Sequence, residues 1–506
     1  MSPQRLTALS AVLGMLILTG GCDRVASGFG DGPPAVSSAA LKSATDDAAV
    51  RKFYEARQWR AAWSKRDASA LLDALKDAPR HGLDGSRFTS LIREASSPAE
   101  RDAELTLAAL NYADALARGA VDPRKLFKVY AIKRPSVDVV AGLAEALKGH
   151  DVEGWIKGLA PQDDEYRALS DAYLAYRDLA ADPITGGPPL QPGDGGARVD
   201  AVAAWLQGAG YLPADAKVKN ATFDAPLVAA LRVMQKAAKL PVTGQPDEAT
   251  LKVMNDGVAM RAKQLAVNLE RRRWLPRDVP DTRIDVNIAT AELVYLHDGA
   301  SAWTSRVVAG APDPDRETPM LIGAFDQLVV NPPWVVPKGI AEKEILPKGE
   351  AYMAAERMTV VDGKVVQQPG PDSSLGLVKF DMQNPHAIYL HDTPAKALFA
   401  SAERHRSHGC ARVERAVEFA RFLANERGRA EAFDKALATG ETGTVALGEK
   451  IPVRLLYTTA YRDPAGLWVF TADPYGWDDQ VSGALGLGAL SAPHAADQPV
   501  ASLLGP

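Results

Sequence analysis

A chain of 506 residues predicts roughly two to four domains with room for buried cores. Its formal net charge of −5, with 24% charged and 46% hydrophobic residues, is that of an ordinary soluble protein. Without a basic excess, no nucleic acid is expected among its partners.

Residues 1–22 have the pattern of an export signal: Arg5 supplies the positive charge, Leu6 to Leu18 a short apolar core, and Thr19-Gly20-Gly21 a small-residue cleavage region. That core is too short to span a bilayer comfortably. Cys22, directly after the glycine pair, resembles the lipidated cysteine of a lipoprotein, although Thr19 stands where an apolar residue is usual. A periplasmic protein tethered to a membrane is the expectation, with plain secretion as the alternative. Either fate removes Cys22 as a thiol and leaves Cys410 without a disulfide partner. Residues 23–46, rich in Gly, Ser, Ala and Pro, are expected to form a flexible tether.

From 47 to 182 apolar residues recur at helical spacing, as in Phe53, Trp59 and Trp63, Leu71 to Leu75, Leu105 to Leu116 and Tyr166 to Leu179. His81 and His150 are expected in solvated loops. The Pro/Gly-rich run from Asp182 to Ala197 marks a boundary. Residues 196–258 follow as a small helical stretch, and 259–279 as a basic connector helix. After Pro280 the period changes to 2: Ile284, Val286 and Ile288, then Leu293 and Tyr295, with a hairpin turn at His297-Asp298-Gly299. The body from 280 to 478 is therefore expected to be mostly β, a sandwich or a barrel. Within it, residues 337–374 carry few sheet signals and are expected as an excursion between strands. Gly443 to Lys450 nearly spells a phosphate-binding loop, but Glu449 occupies the place of the lysine that must meet the phosphates. No cofactor or metal site is expected, because the histidines lack a second thiolate or a carboxylate at ligand spacing. Residues 479–506 are expected to be a disordered tail.

The candidate chemistry lies between Ile388 and Glu414. Cys410 shares that stretch with three of the eight histidines, His391, His405 and His408. A thiol is nucleophilic at neutral pH when its thiolate is favoured, and a nearby imidazole is the common device. His391 ends the apolar run Ala387-Ile388-Tyr389-Leu390, expected as a buried strand, and Asp392-Thr393-Pro394 then turns the chain. Cys410 follows Ser407-His408-Gly409 and precedes Val413, Ala416, Val417, Ala420 and Leu423 at helical spacing. It is thus expected at a helix N-terminus, where the dipole lowers its pKa and backbone N–H groups offer an oxyanion hole. Gly409 would let the backbone approach a substrate carbonyl closely.

His391 followed by Ser407-His408-Gly409-Cys410 resembles the signature of the L,D-transpeptidase family, bacterial cysteine enzymes that cross-link peptidoglycan. Many members carry Asn two residues after the cysteine; Arg412 stands here, as in the long multi-domain members. Asn331 to Pro337, Leu375 to Phe380 and Tyr389 to Pro394 resemble further family segments, in the family's order. The resemblance implies a helical scaffold domain over 47–182, with Phe53 to Trp63 and His81 to Asp84 as the recognisable pieces. It implies a small three-helix peptidoglycan-binding-like module over 196–258. There Met234-Gln235 replaces the usual Phe-Gln, and a purely structural spacer is the alternative. The catalytic domain would then occupy 280–478, with the excursion 337–374 capping its active site.

The implied reaction is acyl transfer. Cys410 attacks a tetrapeptide stem between diaminopimelate and the terminal D-Ala, His391 moves the proton, and the diaminopimelate side-chain amine of a second stem accepts the acyl group. Ser407, His408 and Gly409 would shape the turn and its oxyanion site. Arg412, Tyr389 and Trp334 would contact substrate, with an ion pair from Arg412 to Glu414 or Asp392 as the alternative. Carbapenem-type β-lactams are the implied covalent inhibitors. Two other functions remain open: an L,D-carboxypeptidase that uses water as acceptor, and a non-catalytic wall-anchoring protein.

Overall fold

The computed structural model describes residues 31–490 apart from 94–95, 182, 214 and 256. The expected export signal and Cys22 lie outside the described residues. The chain forms two compact units, one from the residues up to Val121 with Pro135–Leu174, the other from Asp122–Arg134 with Ala175 onward.

The first unit is helical. Its longest helix, Pro98–Arg118, starts with a capping box in which Ser97 and Glu100 satisfy each other's backbone N–H, with proline at the first position. Asp102 is fully buried on this helix, and it accepts from the Tyr54 hydroxyl at 2.5 Å and from the N–H groups of Ala62 and Trp63. A buried carboxylate persists here because donors converge on it. The tether expected over 23–46 does not hold at its C-terminal end, and residues 23–30 lie outside the described residues. Ser37 caps a helix over Ser38–Ser43, and Leu41 is fully buried. One leucine with a place to bury outweighs a run of small residues.

The second unit begins with a short segment that composition assigns to the scaffold. Phe127 packs against Trp477 and Trp274 with ring centroids 4.7 and 6.4 Å apart, and Tyr130 pairs with Met320. Three helices follow, Ala197–Gly208, Ala225–Ala237 and Glu248–Asn255, around the buried Trp205. The next helix, Val258–Trp274, is the expected basic connector, and three of its charged residues, Glu270, Arg271 and Arg273, are buried. Arg273 pairs with Glu270 on the same helix, and Arg271 pairs with Asp478.

The β body consists, among the described residues, of β1 (Arg283–Asn287), β2 (Glu292–His297), β3 (Ala300–Gly310), β4 (Leu321–Val330), β5 (Trp334–Val335), β6 (Met358–Val361), β7 (Lys364–Gln367), β8 (Val378–Phe380), β9 (Leu390–His391), β10 (His405–Ser407), β11 (Ala411–Val413), β12 (Gly443–Leu456), β13 (Ala460–Arg462) and β14 (Trp468–Phe470). Nine of them form one sheet in the order β10-β3-β11-β9-β8-β4-β12-β1-β2, and β2 also pairs with β3, so the sheet closes on itself. Closure removes the unpaired edges that an open sheet would expose. Helix Ala416–Glu426 buries Phe419 against Tyr295, Trp303 and Phe380 of this sheet. The segment from Gly443 to Lys450 runs within β12, so it is not a phosphate loop.

The excursion over 337–374 is more ordered than its weak sheet signals suggest. β6 and β7 form a hairpin that pairs with β5, over a small core of Val336, Ala341, Ile345, Met358 and Val365. The expected disordered tail also needs correction, because Trp477–Leu485 is a helix with Asp478, Val481, Ser482 and Leu485 buried. Asp478 answers Arg271, a partner some 200 residues upstream by the sequence numbering. Residues 491–506 lie outside the described residues.

Candidate active site

Register brings the site together. Lys379 of β8 is paired with His391 of β9, and His391 with Arg412 of β11. Paired residues share a face and alternate residues along a strand return to it. Lys379, Tyr389, His391, Cys410 and Arg412 therefore belong to one face of the sheet.

Two expectations about the local backbone fail here. Cys410 is not at a helix N-terminus, since Ala411–Val413 is a strand and the helix starts only at Ala416. The apolar residues after Cys410 fit a helical period because the strand and the following helix both face the core. The dipole of that helix therefore does not begin at the thiol. The strand before His391 is also shorter than the apolar run, with only Leu390 and His391 in it. Ala387 has φ +53°, and Asn384 holds the loop by accepting from the Ile388 N–H at 3.1 Å while donating to its carbonyl at 2.6 Å.

The turn before Cys410 is built by side chains. Ser407 Oγ accepts from the Gly409 N–H at 3.1 Å and donates to the Cys410 carbonyl at 2.6 Å. Thr318 donates to the Gly409 carbonyl at 2.8 Å and accepts from the Gly310 N–H at 2.8 Å. Gly409 has φ +109°, and a Cβ there would lie 3.3 Å from Ile388 Cδ1, so only glycine takes the position without strain. With its N–H bound to Ser407, Gly409 is not an oxyanion donor. Among the described residues, the N–H groups of His408 and Cys410 have no backbone or side-chain acceptor, which leaves these two for an oxyanion.

His391 is 4% exposed, and its Nδ1 lies 2.5 Å from the Asp392 carbonyl. A carbonyl only accepts, so Nδ1 carries the proton and Nε2 the lone pair. Burial, aided by Arg412 and Lys379, drives its pKa down to about 3. The Asp392 carboxylate accepts from the Leu377 N–H at 3.0 Å and pairs with Lys396. Gly376 makes room for it, since a Cβ there would fall 2.4 Å from Asp392 Oδ2.

Burial also pushes the Cys410 thiol up, while Tyr389, Lys379 and Arg412 pull it down. The thiol is partly accessible at its surface yet crowded by neighbours. Its hydrogen-bond partners are Tyr389 and, at 3.9 Å, the Ala387 carbonyl. Tyr389 in turn hydrogen-bonds Trp334, and Lys379 lies over its ring at 4.5 Å. The resting pair is thus a neutral thiol and a neutral imidazole rather than a preformed ion pair.

The other predicted residues divide. Glu414 pairs with Arg306 and Asp392 with Lys396, so neither carboxylate is bound to Arg412. Burial lowers the pKa of Arg412, and a thiolate on Cys410, when it forms, opposes that shift. His408 Nε2 lies 2.8 Å from Glu344 Oε1 of the excursion. His405 is a structural residue, bonded to Glu403 and to the Ile288 carbonyl. Sequence reasoning missed Thr318, Glu344, Asn384 and Lys379. Thr318, Glu344 and Lys379 reach the site through distant pairings that no local pattern announces, whereas Asn384 acts within its own loop, four residues before Ile388.

Comparison with known proteins matches three stretches of the chain to known domains. Residues 281–453 match the L,D-transpeptidase catalytic domain, 195–254 the "Putative peptidoglycan binding domain" and 48–172 the Scaffold domain. A curated protein of Haemophilus influenzae, named "Putative L,D-transpeptidase", is 34% identical over 244 residues, 44% of this chain and 49% of that protein. The chain therefore spans about half the length of that relative. Among solved structures, the Ldtfm-avibactam carbamoyl enzyme is 15% identical, covers 36% of this chain and 51% of its own, and has a TM-score of 0.21. The L,D-transpeptidase of Xylanimonas cellulosilytica is 14% identical, covers 54% of this chain and 99% of its own, with a TM-score of 0.16. Superpositions this slight carry no weight beside the sequence matches.

Proposed function

Because this chain belongs to the L,D-transpeptidase family, we propose that it cross-links peptidoglycan stems through a thioester on Cys410. The observation that carries the reading is the shared sheet face: a thiol, an imidazole with its lone pair on Nε2, and a buried guanidinium with no carboxylate partner among the described residues. His391 takes the thiol proton as sulfur attacks the carbonyl between diaminopimelate and D-Ala of a donor stem. The new S–C bond makes an oxyanion, held by the N–H groups of His408 and Cys410. As it collapses, the C–N bond breaks and D-Ala leaves as an amine with the proton from His391. The diaminopimelate side-chain amine of a second stem then attacks the thioester, the C–S bond breaks as the new amide forms, and the proton lost by the amine passes through His391 to the thiolate. Arg412 receives a stem carboxylate through its planar fork, with Tyr389 and Trp334 lining the approach. The same thioester chemistry makes carbapenem-type β-lactams covalent inhibitors.

Mass spectrometry of products from a disaccharide-tetrapeptide tests this. Cross-linked dimers from the wild type and none from Cys410→Ala are the expected result. Tripeptides alone would make the chain an L,D-carboxypeptidase, and unreacted substrate would leave wall anchoring. Export with lipid on Cys22 belongs to the same proposal. Wild type should fractionate with membranes and Cys22→Ala with the soluble periplasm; equal partition removes the anchor.

A further inference from the structure

Glu344 and His408 are far apart in sequence, yet His408 Nε2 lies 2.8 Å from Glu344 Oε1. Glu344 sits in the π-helical turn Ala341–Ile345, a rare form that recurs at functional sites. Its neighbour Ile345 is buried in the core of the excursion, so the turn is held by the excursion and not by the closed sheet. His408 stands two residues before Cys410, and its N–H is one of the two open donors of the turn. A carboxylate only accepts, so the contact fixes a proton on Nε2 and with it the orientation of the ring. That commitment also removes His408 Nε2 as a base. Trp334, which packs on the same excursion core and hydrogen-bonds Tyr389, ties the excursion to the thiol a second time.

We propose that Glu344 is a positioning residue for acylation. With the excursion down, Glu344 holds the His408 ring and thereby aims the His408 and Cys410 N–H groups at the oxyanion; with it raised, those donors relax. The proposal rests on the acyl-transfer reading above and deepens it. Side-chain exposures of 33% and 39% leave the pair easily broken, as suits a contact that must release product.

The test compares two reactions of Cys410 in the full chain. Acylation by a carbapenem forms the S–C bond, breaks the lactam C–N bond, places a proton on the ring nitrogen and passes through an oxyanion. Alkylation by iodoacetamide needs the thiolate but no oxyanion donor. Glu344→Ala should slow acylation about tenfold, between the few-fold effect of an exposed ion pair and the roughly 100-fold cost of losing one oxyanion donor. Alkylation should not slow. Glu344→Gln, whose side-chain oxygen still accepts from Nε2–H, should recover most of the rate. The double variant Glu344→Ala with His408→Ala should be no slower than His408→Ala alone, because both remove one contact. Wild-type acylation rates in Glu344→Ala, or losses that multiply in the double variant, would overturn the positioning role while acyl transfer stands. A wild type that is alkylated but acylated by neither a carbapenem nor a tetrapeptide would overturn acyl transfer, and the positioning role with it.

Discussion

At the scale of single residues, burial decides the resting protonation of the site. A thiol held above its ordinary pKa and an imidazole held near 3 cannot exist mainly as thiolate and imidazolium, so in the proposed mechanism His391 would take the thiol proton as sulfur attacks. His391→Ala should therefore keep the fold and lose about two to four powers of ten in acylation rate. The pH–rate profile of His408→Ala should keep both wild-type limbs, while that of His391→Ala should lose one; the reverse outcome would exchange their roles. Stability carries the same signature. An unfolded histidine binds its proton near pH 6.5 and folded His391 only near 3, so the unfolded state holds more protons between those values. Stability from this group is complete above pH 6.5 and declines as the pH falls toward 3, by about 1.4 kcal/mol per unit. Urea titrations at pH 7 and pH 4.5 should show a smaller difference in His391→Gln than in the wild type.

At the scale of elements, the excursion is a small body with its own core. Its apolar residues, Val336, Ala341, Ile345, Met358 and Val365, pack mainly on one another and on Trp334, Ile340, Tyr352 and Met353. A cluster this small can open without unfolding the closed sheet. Ile345→Ala should thus raise amide exchange across 338–367 and lower the rate of stem transfer, with the main melting transition almost unmoved. A matching loss of global stability would show that the excursion is part of the main core. Exposed Val335, Val360 and Val361 on its strands are consistent with an element that does not fill the core of the domain.

At the scale of the whole molecule, the catalytic unit reaches well upstream of the strands that define it. Phe127 is 4% exposed against Trp274 and Trp477, and the Ala131 N–H donates to the Met320 carbonyl at 2.9 Å. Met320 is two residues from Thr318, which holds the Gly409 carbonyl. Phe127→Ala should cost about 3–5 kcal/mol, and differential scanning calorimetry should place that loss in the transition of the catalytic unit. If only the helical unit melted earlier, residues 122–134 would belong to it instead. A chain cut to begin at residue 280 would lose this segment and the helix Val258–Trp274 together.

The helical and β portions were legible in the sequence because burial imposes a period on each, as in Leu105 to Leu116 and in Ile284, Val286 and Ile288. The thiol, the imidazole and the glycine turn were legible because each is a chemical type with few other uses at that spacing. What surrounds them was not. Whether Cys410 begins a helix or a strand depends on β3 and β9 lying beside it, and an apolar run that faces a core looks the same in either form. The partners of the site, Thr318, Glu344 and Lys379, arrive through sheet register and through the excursion. Val258–Trp274 reads in the sequence only as a basic connector helix, and the burial of Arg271 shows when Asp478 is brought to it. Local preference is a property of a few neighbouring residues and is written in the chain; the partner of a buried polar group is a property of closure, and only the tertiary structure supplied it.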